Sequence, residues 1–471
     1  MRVLLISPNR EVSPDPVYPL GLASLAAVLK AAGMTVKGSD LCFPPHWQAV
    51  LEQDLESFRP DCIGLSIRNI DNVTYPRSTA YLPFIKEVVD LCRFKSAAPI
   101  VVGGSGFTLL PEGVLDFLGA DYGVVGEGER VFLDLLEQMA RDRPSRPSAG
   151  GSPPGPSRDR IFTGEPIKEL NSLPWPDREA FDAGVYREQG GLANVQSKRG
   201  CPFHCVYCTY PLIEGRKVRV REPIGVVREI QALVDRGLDY IFFVDNNFNF
   251  PEEQAEGICR EIIRQKVPVR WTAYVNPGFM TDRLGEAMKR SGCAALEFGL
   301  DAAAPAQLDA LGKNFSLPQI REAARICRER DIPFCFSLLL GGPKETRDTL
   351  EETLAQAEDL NPSAVICMTG IRVFPGTRLA EIAREEGLLP ADWNPLEPFF
   401  YLSPKVRDHL EGRLLDFSKA HPNWIFPGLG IDRLPGEAAK MHRLGLKGPL
   451  WVYLRPKKRK KGGSKNETGG G

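Results

Sequence analysis

What most restricts the fold of this 471-residue chain is a rhythm that occurs in two blocks. Short apolar runs alternate with segments whose apolar residues recur at helical spacing, the pattern of parallel strands joined by crossover helices. In the first block, Val3-Leu4-Leu5-Ile6-Ser7 is a continuous apolar strand, and Tyr18-Pro19-Leu20-Gly21-Leu22 opens a helix that runs to about Ala32 and stops at Gly33. Further strands begin at Thr35-Val36, Cys62-Ile63, Pro99-Ile100 and Tyr122-Gly123, with helices expected around 46–58, 79–94 and 111–118. This predicts an α/β domain, a doubly wound parallel sheet of the Rossmann-like kind.

Ligands of such sheets bind beyond the carboxyl ends of the strands. Those ends carry Gly103-Gly104-Ser105-Gly106 and Gly126-Glu127-Gly128-Glu129. Glycines there let backbone approach a ligand closely, and they also simply make turns. Between about 141 and 160 the chain turns to Arg, Pro, Ser and Gly, which reads as a tether, and Asn171-Ser172-Leu173-Pro174-Trp175-Pro176-Asp177 reads as an ordered strap.

The second block starts near Asn194-Val195-Gln196 and repeats the strand–helix unit about six times, with strands at Tyr240–Asn247, Arg270–Tyr274, Leu296–Asp301, Phe334–Gly342 and Ala364–Cys367. Six units are fewer than the eight of a closed barrel, so a partial, open (β/α)6 barrel is expected. The domains so defined are 1–140, a linker and strap over 141–170, the barrel over 171–389, a small C-terminal extension over 390–455 and a basic tail over 456–471. The tail's Lys457-Lys458-Arg459-Lys460-Lys461 reads as a solvated, disordered run, with attraction to anionic lipid or nucleic acid as the other reading.

After the first barrel strand comes Cys201-Pro202-Phe203-His204-Cys205-Val206-Tyr207-Cys208, a CxxxCxxC triad entered through Ser197-Lys198-Arg199-Gly200. Three thiolates on one loop can hold three corners of an iron–sulfur cube, and no fourth cysteine sits nearby for the last. That leaves an iron open to an exchangeable ligand. Zinc would need a fourth ligand, and His204 lies inside the loop with no second Cys/His pair at finger spacing. Free core cysteines and a disulfide framework are the other readings.

Composition narrows the setting. A net charge of -1 leaves no overall nucleic-acid footprint. Eleven cysteines with no secretory pattern at the start point to a reducing compartment, the cytoplasm. No apolar run is long enough to cross a bilayer, so any membrane contact is expected to be peripheral.

Together these motifs resemble the radical S-adenosylmethionine (SAM) enzymes that carry an N-terminal cobalamin-binding domain, over nearly all of Met1 to about Leu389. Val218–Pro223, Val244-Asp245-Asn246-Asn247-Phe248, Leu339–Thr346 and Val373-Phe374-Pro375-Gly376-Thr377 are similar to further segments of that family. The resemblance implies that Cys201, Cys205 and Cys208 ligate a [4Fe–4S] cluster whose open iron chelates SAM, cleaved to a 5′-deoxyadenosyl radical. It implies SAM contacts at Asp245, Asn246, Asp301 and Gly341, with Asp301 a shorter carboxylate where many relatives have Glu. By the same likeness Gly103, Gly104, Gly126 and Glu127 would line the cobalamin site. No Asp-x-His-x-x-Gly motif is present, and His46 reads as a surface residue, so histidine ligation of cobalt is not expected. The implied activity is methylation of an unactivated carbon in a small-molecule or lipid-like substrate, fed by an electron donor such as flavodoxin or ferredoxin. The alternative is a non-methylating cyclisation, rearrangement or oxidation, and a cluster-bearing sensor module is the non-enzymatic rival.

Overall fold

The computed structural model describes residues 1–142, 156–429, 441 and 446–453. Its strands, in chain order, are β1 (Arg2–Ser7), β2 (Thr35–Asp40), β3 (Cys62–Ser66), β4 (Ile100–Gly103), β5 (Tyr122–Val125), β6 (Ile161–Thr163), β7 (Ala193–Val195), β8 (Lys198–Arg199), β9 (Arg219–Val220), β10 (Tyr240–Phe243), β11 (Arg270–Val275), β12 (Cys293–Asp301), β13 (Phe334–Leu340), β14 (Ala364–Thr369), β15 (Ile371–Arg372), β16 (Phe400–Tyr401) and β17 (Trp424–Ile425).

The first six form one parallel sheet in the order β2-β1-β3-β4-β5-β6. Val3, Leu4, Leu5 and Ile6 are fully buried, which is why β1 reads as an unbroken apolar run: helices cover both faces of the sheet. Helix Leu20–Ala31 packs down through Leu22, Ala23, Ala26 and Leu29, the spacing of one helical face. The strand order reverses between β1 and β3, so their carboxyl ends, at Ser7 and Ser66, open a crevice.

Helices Ser105–Leu109 and Gly128–Asp142 and strand β6 have no counterpart in the sequence reading. Helix Gly128–Asp142 follows the glycine–glutamate motif and buries Phe132, Leu135, Leu136 and Met139. Strand β6 adds a sixth parallel strand beside β5, so ordered structure resumes within the stretch read as linker and strap. Residues 143–155 of the expected tether and the basic tail lie outside the described residues.

The second sheet is also parallel and has the order β17-β14-β13-β12-β11-β10-β7. Each strand lies beside its predecessor in the chain, as in an opened barrel, whereas the first sheet reverses direction. The six expected barrel strands are present, and β17 from the C-terminal extension adds a seventh at the edge next to β14. Strands β15 and β16 form a small antiparallel pair, as do β8 and β9. The latter pair is the neck of the cysteine loop.

One apolar cluster runs through both blocks, from Val3 and Leu22 to Phe243, Trp271, Phe298 and Phe336. The segment just after the strap helps to join them. Tyr18 Oη donates to Phe181 O at 3.1 Å, and Arg178, bonded to the Glu229 carboxylate at 3.1 Å, lies over the Tyr18 ring.

Candidate active site

The cysteine loop is held at every side. Gly200 enters it at φ +91°, a left-handed backbone where a Cβ would sit 2.2 Å from Lys217 O, so only glycine fits. Cys201 N donates to Gly215 O, Val206 N to Leu311 O, and Leu379 N to Val206 O. Phe203 packs against Phe250 and Phe279. Tyr207 Oη donates to Asp301 Oδ2, and the buried Lys313 ammonium pairs with the same oxygen.

These contacts show what the sequence-predicted residues do. Asp245, at the end of β10, is buried and accepts from Ser197 N at 2.7 Å, Lys198 N at 3.2 Å and the Ser197 hydroxyl. It therefore fixes the strand that delivers the loop. Asp301, at φ +66°, fixes the loop's far side through Tyr207. Asn247 Nδ2 reaches Cys201 Sγ at 3.9 Å. Asn246 Nδ2 donates to Glu214 Oε2 at 2.9 Å, while its Oδ1 is buried with no hydrogen-bond partner among the described residues. Gly341 lies at φ +89°, and its N–H and that of Gly342 are both bonded to the buried Glu345 carboxylate.

Sequence reading missed Lys313 and Glu214. Lys313 follows Gly312, whose position leaves no room for a Cβ against His204 O, so a glycine beside a lysine was the available signal. Glu214 Oε2 accepts from Gly200 N at 2.9 Å, one residue before the first cysteine.

Three thiols on one pinned loop suit a cluster. Burial pushes Cys208 up to about 12 and raises Cys201 and Cys205, while Lys313 pulls all three down. Thiolate there needs that cation and metal ligation together. His204, the fourth ligand a zinc site would need, is exposed and its Nδ1 sits 3.1 Å from Arg216. Among the described residues no three His, Cys, Asp or Glu side chains converge on a single ion. A cube spreads its thiolates over separate irons, so it does not need such convergence. His46 is exposed at the start of helix Trp47–Phe58.

Two cavities adjoin the loop. One of about 200 Å³ lies at the carboxyl end of the first sheet, walled by Leu5, Gly64, Gly103, Gly104, Gly126 and Phe132 on one side and by Gln196, Arg199 and Glu214 on the other. Its wall requires glycine. A Cβ on Gly64 would meet Leu5 at 2.9 Å and Phe132 at 3.0 Å, and one on Gly104, at φ +98°, would meet Ile67 O at 2.6 Å. Such a cradle accepts a flat or extended group through backbone and apolar contact, which suits part of a corrin.

The larger cavity, about 650 Å³, spans both blocks. Ser7, Asp15 and Arg68 face it from the first, and Tyr210, Tyr274 and Glu297 from the barrel side. Tyr210 and Tyr274 keep 44% and 42% of their surface open. Trp451, from the C-terminal segment, donates its Nε1–H to Glu297 Oε1 at 3.1 Å. Burial, then the charge of Glu297, pushes Asp15 up to about 7, and burial also raises Glu297.

Among known families, the model for the Radical SAM superfamily matches residues 195–357 and that for the B12 binding domain residues 6–136. The tryptophan 2-C-methyltransferase of Streptomyces laurentii is 26% identical, over 82% of this chain and 74% of that protein. The anaerobic magnesium-protoporphyrin IX monomethyl ester cyclase of Rubrivivax gelatinosus is 25% identical, over 97% and 82%. The fold matches that of the radical SAM methyltransferase TsrM from Kitasatospora setae, solved with cobalamin and a [4Fe-4S] cluster, with a TM-score of 0.82 over 96% of this chain and 97% of that one at 24% identity. The chain thus joins a B12 binding domain to a Radical SAM domain, the domain pair of the radical SAM enzymes with an N-terminal cobalamin-binding domain.

Proposed function

We propose that the chain transfers a methyl group from SAM to an unactivated carbon of a small molecule held in the 650 Å³ cavity. The observation that carries this reading is that one cavity is walled by both blocks, so the corrin's domain and the cluster's barrel face the same space. When bound, the cluster with SAM supplies radical chemistry and the corrin supplies a methyl carrier.

The chain's own groups prepare the site. Cys201, Cys205 and Cys208 hold the cluster, and Asn246 Oδ1 offers an acceptor to SAM. Glu345 shapes the Gly341–Gly342 turn beside it. Gly103, Gly104 and Gly126 admit the corrin, with Glu127 bracing that wall through its arginines. Asp15, Glu297 and Tyr274 give the cavity acceptors against aromatic walls, which favours a substrate with an apolar body and a hydrogen-bond donor or cationic nitrogen. Trp451 closes the cavity and keeps water from the radical chemistry.

The eleven cysteines are all free, in keeping with a reducing cytoplasm where flavodoxin or ferredoxin supplies electrons. No helix among the described residues is long and apolar enough to cross a membrane. A relative named as a cyclase keeps a non-methylating radical reaction as the second reading. Anaerobic incubation with methyl-labelled SAM and a cell-extract small-molecule fraction separates them. Label in a new small molecule supports methyl transfer. Formation of 5′-deoxyadenosine with label confined to SAM and methionine supports the second reading.

A further inference from the structure

The neck of the cysteine loop carries an unusual charge arrangement. In the β8–β9 ribbon, Arg199 lies directly opposite Arg219. Like charges at opposed ribbon positions repel, and both side chains are buried, at 12% and 6% exposure. The countercharges come from the other block. Glu127 Oε1 lies 2.5 Å from Arg219 Nη2, and its Oε2 lies 2.9 Å from Arg219 Nη1 and 3.4 Å from Arg199 Nη1. Glu129 Oε1 lies 2.5 Å from Arg199 Nη2. Both glutamates are as deeply buried, at 8% and 7%. Burial opposes ionisation of Glu127, yet the two arginines hold its carboxyl below the usual range.

The same four-residue motif, Gly126-Glu127-Gly128-Glu129, walls the 200 Å³ glycine cavity, and so do Arg199 and Glu214 from the neck. Arg219 Nη2 also donates to Glu214 O at 2.7 Å, and Glu214 Oε2 takes the Gly200 N–H next to Cys201. An unbroken set of polar contacts thus runs from the cavity wall to the first cluster ligand. The ion pairs at its centre join side chains that are 12% exposed or less, which ties a shift of the wall to a shift of the neck.

We propose that Glu127, Glu129, Arg199 and Glu214 are positioning residues through which occupancy of the glycine cavity sets the iron–sulfur loop, so that cobalamin and SAM tighten each other's binding. This rests on the corrin using that cavity, as read above. Binding linkage is reciprocal: the factor by which cobalamin tightens SAM must equal the factor by which SAM tightens cobalamin.

The test uses the full chain, reconstituted anaerobically with iron and sulfide. Dissociation constants for SAM are measured with and without hydroxocobalamin, and for hydroxocobalamin with and without SAM. The wild type is expected to show the same factor both ways, at least about fivefold. Glu127→Gln and Glu129→Gln should bring the factor near one while iron content stays full, and the reduced-cluster EPR signal should stop responding to hydroxocobalamin. If a glutamine variant loses its cluster, the exchanged pair Glu129→Arg with Arg199→Glu replaces it and should restore part of the coupling. A wild-type factor of one, or a factor unchanged in the variants, overturns the inference while leaving cobalamin binding intact. A wild type that takes up no hydroxocobalamin overturns the underlying reading instead.

Discussion

The two cavities share a wall at Gly21, Leu22, Ser66 and Gly104 and are built by different means. The small one has a wall of glycines 64, 103, 104 and 126 beside apolar residues, and its charged groups, Glu127, Glu129, Arg199 and Glu214, are tied up in ion pairs and hydrogen bonds. The large one is made by putting side chains in, with acids, tyrosines and an arginine reaching it from separate parts of the sequence. The glycine wall of the first recognises shape, whereas the raised carboxyls of Asp15 and Glu297 make the second sensitive to pH. That division suits a cofactor that stays in place and a substrate that must be chosen on each turnover.

The sharpest way to break the comparison is to disable one side. Cys205→Ala should abolish the iron–sulfur absorbance and all SAM cleavage while the glycine cavity still takes up hydroxocobalamin. Retained absorbance would remove Cys205 from the ligand set. Gly64→Val does the converse. Its side chain must displace Leu5 and Phe132, an overpacking of about 1–3 kcal/mol that should weaken hydroxocobalamin binding roughly tenfold or more in equilibrium dialysis, with iron content unchanged.

Outside both cavities, at the Gly341–Gly342 turn, Glu345 is buried and its carboxyl is pushed up to about 7, by burial first and against the pull of the Gly341 and Gly342 amides. Its folded value lies above its ordinary 4.5, so the folded state gains from the protonated form at low pH. That gain is lost as pH rises from about 4.5 through 7. Glu345→Gln keeps an acceptor for both amides and removes the loss. It should therefore unfold at higher denaturant than wild type at pH 8, by on the order of 2 kcal/mol, with the difference shrinking toward pH 5. A constant difference across that range would contradict the assignment. The smallest effect is at Tyr207→Phe, which removes one hydrogen bond to Asp301 and leaves Lys313 in place. It should cost about 1–2 kcal/mol of loop stability, seen as faster loss of iron to a chelator. An unchanged chelation rate would mean that the loop is set elsewhere.

The same division explains how much was legible in the sequence. The parallel strands and most helices could be read because burial on both faces leaves unbroken apolar runs, as in Val3–Ile6. The cysteine spacing and the glycine turns were legible because they are local. Helix Gly128–Asp142 was hidden because its start coincides with a glycine motif that reads as a turn, although Phe132, Leu135, Leu136 and Met139 are spaced for a helix. The partners of Asp245 and Asp301 were not legible, because their positions along the chain carry no sign of Ser197 or Tyr207. The joint of Glu127 and Glu129 with Arg199 and Arg219 bridges residues 70 and 92 apart, a pairing that only the packed domains disclose. Trp451 reaches the cavity from the segment that read only as a small C-terminal extension.

The central claim is that corrin and cluster serve one methyl-transfer site, and the most direct measurement does not need the substrate. The anaerobically reconstituted chain, loaded with hydroxocobalamin and reduced, is mixed with methyl-labelled SAM, and the protein-bound corrin is isolated and counted. The account predicts label on the corrin in the wild type. A chain that holds both cofactors and cleaves SAM, yet leaves the corrin unlabelled, would contradict it.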